Sequence, residues 1–213
     1  SHGLVDDNGQ ISIKNMRWDE LTGIAFESFE NLAKEYPELG GKYGKAKPVY
    51  NSFIMSKMGI TGIFWPFTLE ANVNIEAPDY TILSTMAHEM AHQRGFMRED
   101  EANYIALLAS IYSENILFRY SGIMLGLQYA GHELYKIDPF LYSEIQSLYN
   151  EGIKRDLRYS STYWSQYDNT VISTISNQMN DTYLKVNNQK DGVKSYGRMV
   201  DLMLASYKNK KEF

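Results

Sequence analysis

The chain has 213 residues, no cysteine and a formal net charge of −5, and apolar residues make up 44% of it. The length suits one globular domain, and the lack of cysteine excludes disulfide scaffolds, Fe–S clusters, cysteine-ligated zinc and thiol nucleophiles. Because an acidic chain binds phosphate backbones poorly, we expect no nucleic-acid partner. Only four residues are histidine, so their positions matter for any metal or acid–base chemistry.

The beginning of the chain shows no functional motif. Ser1-His2-Gly3 resembles a remnant of cloning, and residues 1–16 read as a flexible lead-in to a single domain that covers residues 1–213. No segment reaches the roughly 18 consecutive apolar residues that crossing a bilayer requires.

The first part of the chain predicts one helix and a small sheet. Apolar residues at helical spacing predict an amphipathic helix over residues 18–36. Residues 47–75 combine β-branched and aromatic residues with glycine and proline, which predicts two or three short strands. Pro66 falls inside the second apolar run and favours an edge strand or a strand end there.

From residue 79 onward the pattern is almost wholly helical. Helices are predicted over residues 80–94, 99–115 and 121–136, from 138 onward, and over 163–186 and 195–208. Gly95 is placed to end the first of them. Gly122 and Gly126 indicate the close packing of two helices. The sequence therefore predicts an α+β fold that is mostly α-helical, with a small early sheet.

Residues 88–92 read His88-Glu89-Met90-Ala91-His92, which is the H-E-x-x-H pattern on a predicted helix. Because residues i and i+4 lie on one helical face, both imidazoles can reach one metal ion. Glu89 projects beside that face, where it can act as general base toward a zinc-activated water.

The motif allows two other interpretations. The histidines could be ordinary residues with satisfied hydrogen bonds. Alternatively, Glu89 and His92 fit the Glu-x-x-His of a di-iron helix bundle, but that site needs a second Glu-x-x-His. Neither His2 nor His132 has a glutamate three residues before it, so the motif favours a zinc site over a di-iron site.

A carboxylate must complete the metal site, because Arg98 stands where H-E-x-x-H-x-x-G-x-x-H has a third histidine. Glu99 is the preferred third ligand, and Asn103 shares its helical face because the two are four residues apart. Asn103 could then hydrogen-bond the second nitrogen of a ligand histidine. Glu101 is the alternative ligand, but it is rotated by about 200° from Glu99.

His88-Glu89-x-x-His92 followed by Glu99-x-x-Ala102-Asn103 resembles the gluzincin metallopeptidases, in which the glutamate of a similar segment is the third zinc ligand. The chain over residues 45–207 also resembles a bacterial, often membrane-anchored family known only as a domain of unknown function. The segments that carry this resemblance are 61–67, 70–74, 118–122 and 191–198, together with the zinc motif. It implies a zincin-like fold with the small sheet beside the motif helix. It also implies an N-terminal membrane anchor and an extracytoplasmic location.

These observations predict a zinc metallopeptidase that hydrolyses a peptide or protein substrate. One Zn²⁺ ion would be held by His88, His92 and Glu99, with Glu89 as the general base. Tyr196 and Arg198 are candidates for stabilising the oxyanion, because they lie in a polar, glycine-containing loop that leads into a helix.

Residues 72–75 are the candidate sheet edge for aligning a peptide substrate. The alternative function is a non-catalytic zinc-binding sensor or interaction domain of a membrane-anchored protein. No feature of the sequence points to an oligomeric state.

Overall fold

The computed structural model describes residues 4–167 and 198–210. The helices are α1 Trp18–Leu32, α2 Ser52–Lys57, α3 Ile82–Gln93, α4 Glu99–Ile111, α5 Ile116–Ile137, α6 Pro139–Ser147, α7 Glu151–Ser165 and α8 Arg198–Lys210. The strands are β1 Lys47–Val49, β2 Gly62–Trp65 and β3 Glu70–Asn74, and single 3₁₀ turns lie at Pro37–Leu39 and Asp79–Thr81. The predicted α+β class, mostly helical with a small early sheet, is confirmed. Within the described ranges, no helix has the combined length and apolar character needed to span a bilayer.

The sheet is built around β3. This strand pairs in parallel with β1 on one side and antiparallel with β2 on the other. The prediction of residues 72–75 as a sheet edge is therefore wrong, because these residues lie largely in a strand with partners on both sides. Among the described residues, the edge next to the metal-binding motif belongs to β2. Pro66 directly follows the last residue of β2, as expected of a residue that cannot extend a strand ladder.

α3 lies at the centre of the molecule. Its predicted apolar face is buried, and the sheet, α1, α4 and α5 all pack against it. Ala71 and Val73 of β3 are fully buried, while Glu70 and Asn72, which alternate with them, are partly exposed, so one face of the sheet is turned to the core. Asn74, at the end of the strand, is also fully buried. Burying a large aliphatic side chain contributes about 1.5–3 kcal/mol, so α3 is held firmly in place.

The approach of α4 to α5 depends on glycine. A Cβ atom added to Gly122 would lie 2.2 Å from Cβ of Ser110, and one added to Gly126 would lie 3.3 Å from Leu107. The predicted close packing of two helices at this glycine pair is confirmed.

α5 begins earlier than the hydrophobic pattern predicted. It starts at Ile116 rather than at residue 121, because the Asn115 side chain accepts hydrogen bonds from the N–H groups of Leu117 and Phe118. The sequence pattern places Asn115 at the end of the preceding helix, which instead stops at Ile111.

Of the later helices, α6 and α8 agree with the sequence, whereas most of α7 was not predicted as a separate helix. Asp138 accepts hydrogen bonds from two backbone N–H groups and caps α6, which begins at Pro139 as predicted. α8 overlaps the helix predicted over residues 195–208. The helix predicted over residues 163–186 lies mostly outside the described residues, and only its first residues fall within α7.

Residues 4–16 are packed against the rest of the domain. Val5 and Ile11 form a β-bridge, and Ile11 N–H donates to Asp156 Oδ1 at 3.3 Å. Ile13 N–H donates to Asp79 Oδ2 at 2.9 Å. The flexible lead-in predicted for residues 1–16 is therefore wrong over residues 4–16. Backbone donors of this segment are satisfied by carboxylates that are distant in the sequence.

Candidate metal centre

The candidate site lies where the end of α3 meets the start of α4. His88, Glu89 and His92 belong to the second half of α3, and Glu99 is the first residue of α4. Gly95 ends α3 with a φ of 91°, a left-handed conformation that glycine adopts without the strain a Cβ would cause. The turn after it brings Glu99 back against the two histidines.

Two imidazole nitrogens and one carboxylate group converge at this point. Nε2 of His88 lies 3.0 Å from Nε2 of His92. Oε2 of Glu99 lies 3.2 Å from His88 Nε2, and the other carboxylate oxygen, Oε1, lies 3.6 Å from His92 Nε2. Two zinc bonds at a tetrahedral angle separate their ligand atoms by about 3.3–3.6 Å. The observed distances of 3.0–3.6 Å lie near this range, so the cluster could hold a metal ion. Within residues 4–167 and 198–210, this is the one cluster of histidine and acidic groups with such an arrangement.

The second nitrogen of each histidine is hydrogen-bonded. His92 Nδ1 lies 2.7 Å from the Phe96 carbonyl oxygen, which can only accept, so Nδ1 carries the proton. His88 Nδ1 lies 2.9 Å from Asn103 Oδ1, and Asn103 Nδ2 donates to the Tyr129 hydroxyl at 3.0 Å. In the neutral ring, Nε2 therefore keeps the lone pair that a metal needs.

Asn103 makes the contact that the sequence predicted for it, whereas Tyr129 was not singled out. Tyr129 lies on α5, 26 residues beyond Asn103. Nothing in the local sequence distinguishes it from the other 16 tyrosines, and only the packing of α5 on α4 brings it here.

Glu99, and not Glu101, reaches the histidines. The Glu99 side chain is 21% exposed and the Glu101 side chain is 41% exposed. Glu101 is turned toward Arg98, whose guanidinium lies 3.5 Å from its carboxylate. Arg98 also donates to both oxygens of the buried Asp100, at 3.2 and 2.7 Å. This pairing fixes the first turn of α4, from which Glu99 projects.

Glu89 is 4% exposed and lies beside β2. A Cβ atom on Gly62 would lie 2.4 Å from Glu89 Oε1, so only a glycine lets the strand pass this close to the carboxylate. Phe64, two residues along the same strand, has its ring centroid 6.1 Å from that of His92. Gly62 was missed as a site residue, although it belongs to one of the segments that carry the family resemblance.

The charges of the cluster shift its pKa values. Burial raises the pKa of Glu89 to about 7, against the lowering effect of His88 and His92. Burial would lower the pKa of His88, but hydrogen bonding and charge from Glu99, with the charge of Glu89, raise it to about 9. Burial would raise the pKa of Glu99, but hydrogen bonds to both histidines hold it well below its usual range.

Of the two oxyanion candidates, one is described and one is not. Arg198 begins α8 with an exposed side chain, and Tyr196 lies outside the described residues. Their roles toward an oxyanion stay predictions. His132 is exposed on α5 and is not a member of the cluster.

Comparison with known families adds one result. The family described as "Protein of unknown function (DUF3810)" matches residues 4–204, and the chain therefore belongs to this family. No curated protein and no solved structure gives a significant match.

Proposed function

We propose that this chain is a zinc-dependent metallopeptidase. The observation that carries the proposal is the convergence of His88, His92 and Glu99 on one point, with their ligand atoms within 4.8 Å of one another. Two imidazoles and one carboxylate are the ligand set of many catalytic zinc sites. One Zn²⁺ ion is the proposed cofactor.

When bound, zinc supplies Lewis acidity, which lowers the pKa of a water toward about 7 and polarises a carbonyl group. The side chains of the protein supply the proton transfer. Glu89 accepts the proton of the attacking water and returns it to the leaving amine. Its carboxylate lies against Gly62 of β2, close enough to His88 and His92 for their charges to act on it. The burial of Glu89 limits competition from bulk water.

The outer edge of β2 offers backbone groups for aligning a peptide. The Asn74 N–H donates to the Thr61 carbonyl at 2.8 Å, which makes these opposite residues a hydrogen-bonded pair. Because such pairs alternate in an antiparallel ladder, Ile63 and Trp65 also face β3 with their backbone groups. The N–H and C=O groups of Gly62 and Phe64 point to the other side, where an extended peptide can add as a strand.

The alternative is a zinc-binding sensor or interaction domain without catalysis. A purely structural zinc site normally has four protein ligands. Among the described residues, the cluster holds three, and a carboxylate suited to general-base chemistry lies next to it. These features favour the peptidase.

The test is a Glu89→Gln substitution. We expect the purified wild-type protein to bind one zinc ion per chain and to cleave members of an unstructured peptide library. The variant keeps the zinc stoichiometry, measured by elemental analysis, and loses at least about 100-fold in cleavage rate, since general-base catalysis contributes that much or more. A wild-type protein that binds no zinc contradicts the whole proposal. One that binds zinc and cleaves nothing supports the sensor.

The membrane anchor and the extracytoplasmic location stay predictions, because they rest on the resemblance alone. Separation of membrane and soluble fractions from cells that make the natural full-length protein tests both, when it is combined with protease accessibility.

A further inference from the structure

β2 carries large apolar side chains on its solvent side. Side chains alternate along a strand, and Gly62 and Phe64 face α3, so Ile63 and Trp65 project from the opposite face. Their exposed fractions are 39% and 49%. Phe67, in the turn that follows, is 88% exposed, and its ring centroid lies 6.1 Å from that of Trp65. Within residues 4–167 and 198–210, no strand pairs with the outer edge of β2.

An exposed apolar edge strand is costly, because it invites aggregation. Natural edges are usually protected by charge, proline or a bulge. Here Pro66 ends the strand, but β2 itself has no charged residue, and Ile63 and Trp65 leave its solvent face apolar. The edge is continuous with the candidate metal centre, since Gly62 touches Glu89 and Phe64 lies beside His92. These two features together indicate that the apolar edge serves the reaction.

We propose that Ile63 and Trp65 select substrates with large apolar side chains at two alternate positions, i and i+2. The proposal rests on the peptidase function and names its substrate class, which is an extended segment with apolar residues at that spacing.

The spacing follows from strand geometry. In a strand added to β2, the residues opposite Gly62 and Phe64 turn their side chains toward α3 and the metal centre. The residues opposite Ile63 and Trp65 turn theirs to the solvent face, where each lies next to its cross-strand neighbour. These two substrate residues lie on either side of the one opposite Phe64, so they occupy positions i and i+2 of the substrate.

The test measures peptide binding without cleavage. The protein is the zinc-loaded Glu89→Gln variant. The probes are ten-residue serine/glutamine peptides with two leucines, placed either at i and i+2 or at adjacent positions. We expect the i, i+2 peptides to bind about fivefold more tightly by calorimetry, the size expected for cross-strand apolar pairs.

Variants assign the preference to the strand. Trp65→Gln and Ile63→Gln, each added to Glu89→Gln, reduce the preference toward onefold while zinc stoichiometry and the far-UV spectrum stay unchanged. Phe140→Gln is the matched control, because Phe140 is 85% exposed on α6, which packs against α5. It leaves the preference intact.

Three results overturn the inference. The first is equal affinity for both leucine spacings, and the second is a preference that survives both β2 substitutions. The third is a sedimentation experiment in which the wild-type protein is a dimer and the Trp65→Gln variant is a monomer. The outer edge of β2 would then bind a second copy of the chain and not a substrate. The proposed function fails separately, if the wild-type protein cleaves no peptide of any spacing.

Discussion

At the scale of single residues, a chain of hydrogen bonds holds His88 in its orientation. Asn103 links the ring to the Tyr129 hydroxyl, and both contacts are 2.9–3.0 Å long. Replacing Tyr129 by Phe removes the group that accepts from the Asn103 amide and leaves that amide free to rotate. We expect zinc affinity, measured by competition with a chromophoric chelator, to fall by about tenfold, the low end for outer partners of metal ligands.

Tyr135→Phe is the matched control for Tyr129→Phe. Tyr135 lies on the same helix, and its ring contacts Tyr142 with centroids 5.5 Å apart. The control should bind zinc like the wild type. Equal losses in the two variants, or none in either, contradict a role for Tyr129 at the metal centre.

Zinc affinity should also depend on pH through His88. The raised pKa, about 9, means that the metal-free protein holds a proton on this ring at neutral pH, stabilised by Glu99 and Glu89 with His92 nearby. The bound proton stabilises the folded metal-free chain. This contribution is fully present at pH values below the ordinary pKa of histidine, and it is lost as the pH rises through about 9. Because zinc must displace the proton, its apparent affinity rises up to about tenfold per pH unit between pH 7 and 9.

Chelator competition at several pH values measures this slope, after correction for the protonation of the chelator. Glu99→Gln removes the main partner of the His88 proton, so its slope over the same range is shallower although its affinity is lower throughout. A wild-type affinity that is constant above pH 7 contradicts the assigned proton.

At the scale of elements, the contact of α4 with α5 leaves no room for a methyl group at Gly122. Alanine there would push Cβ against Ser110, so the helices must separate. We expect Gly122→Ala to lower the free energy of unfolding by about 1–3 kcal/mol, as overpacking does, despite the better helix propensity of alanine.

Urea denaturation measures the change at Gly122, and Gly23→Ala is the control. Gly23 is a glycine of α1 with no atom within 4 Å of the added Cβ. This control should raise stability by up to about 1 kcal/mol. If Gly122→Ala behaves like Gly23→Ala, the close approach of α4 and α5 is contradicted.

Features set within one helix could be predicted from the sequence, whereas features that depend on the packing of two elements could not. α3, its glycine stop and the placement of Glu99 and Asn103 on one face of α4 are local, because the spacing within a helix fixes which residues share a face. Pro66 already favours an edge or a strand end at β2, but the central position of β3 is not local, since strand order depends on pairing between distant residues. The same holds for Gly62 beside Glu89 and for Tyr129 beside Asn103. Each of these contacts needs the packing of a second element.

At the scale of the whole molecule, the candidate ligands come from two helices that already pack against each other. α3 is buried among the sheet, α1, α4 and α5 without help from a metal, and the turn between α3 and α4 is fixed by Gly95 and by the Arg98–Asp100 pair. We therefore expect zinc to stabilise a fold that forms without it, unlike a zinc finger.

Chelation of zinc should lower the melting temperature while the far-UV helical signal and cooperative unfolding remain. Free zinc at 100 times its dissociation constant contributes about 2.7 kcal/mol, which corresponds to a shift of about 5–10 °C for a chain of this size. His88→Ala should lose this zinc-dependent shift, and His132→Ala, which changes an exposed histidine outside the cluster, should keep it. Loss of helical signal on chelation would instead mean that the metal organises the core, contrary to the packing of α3.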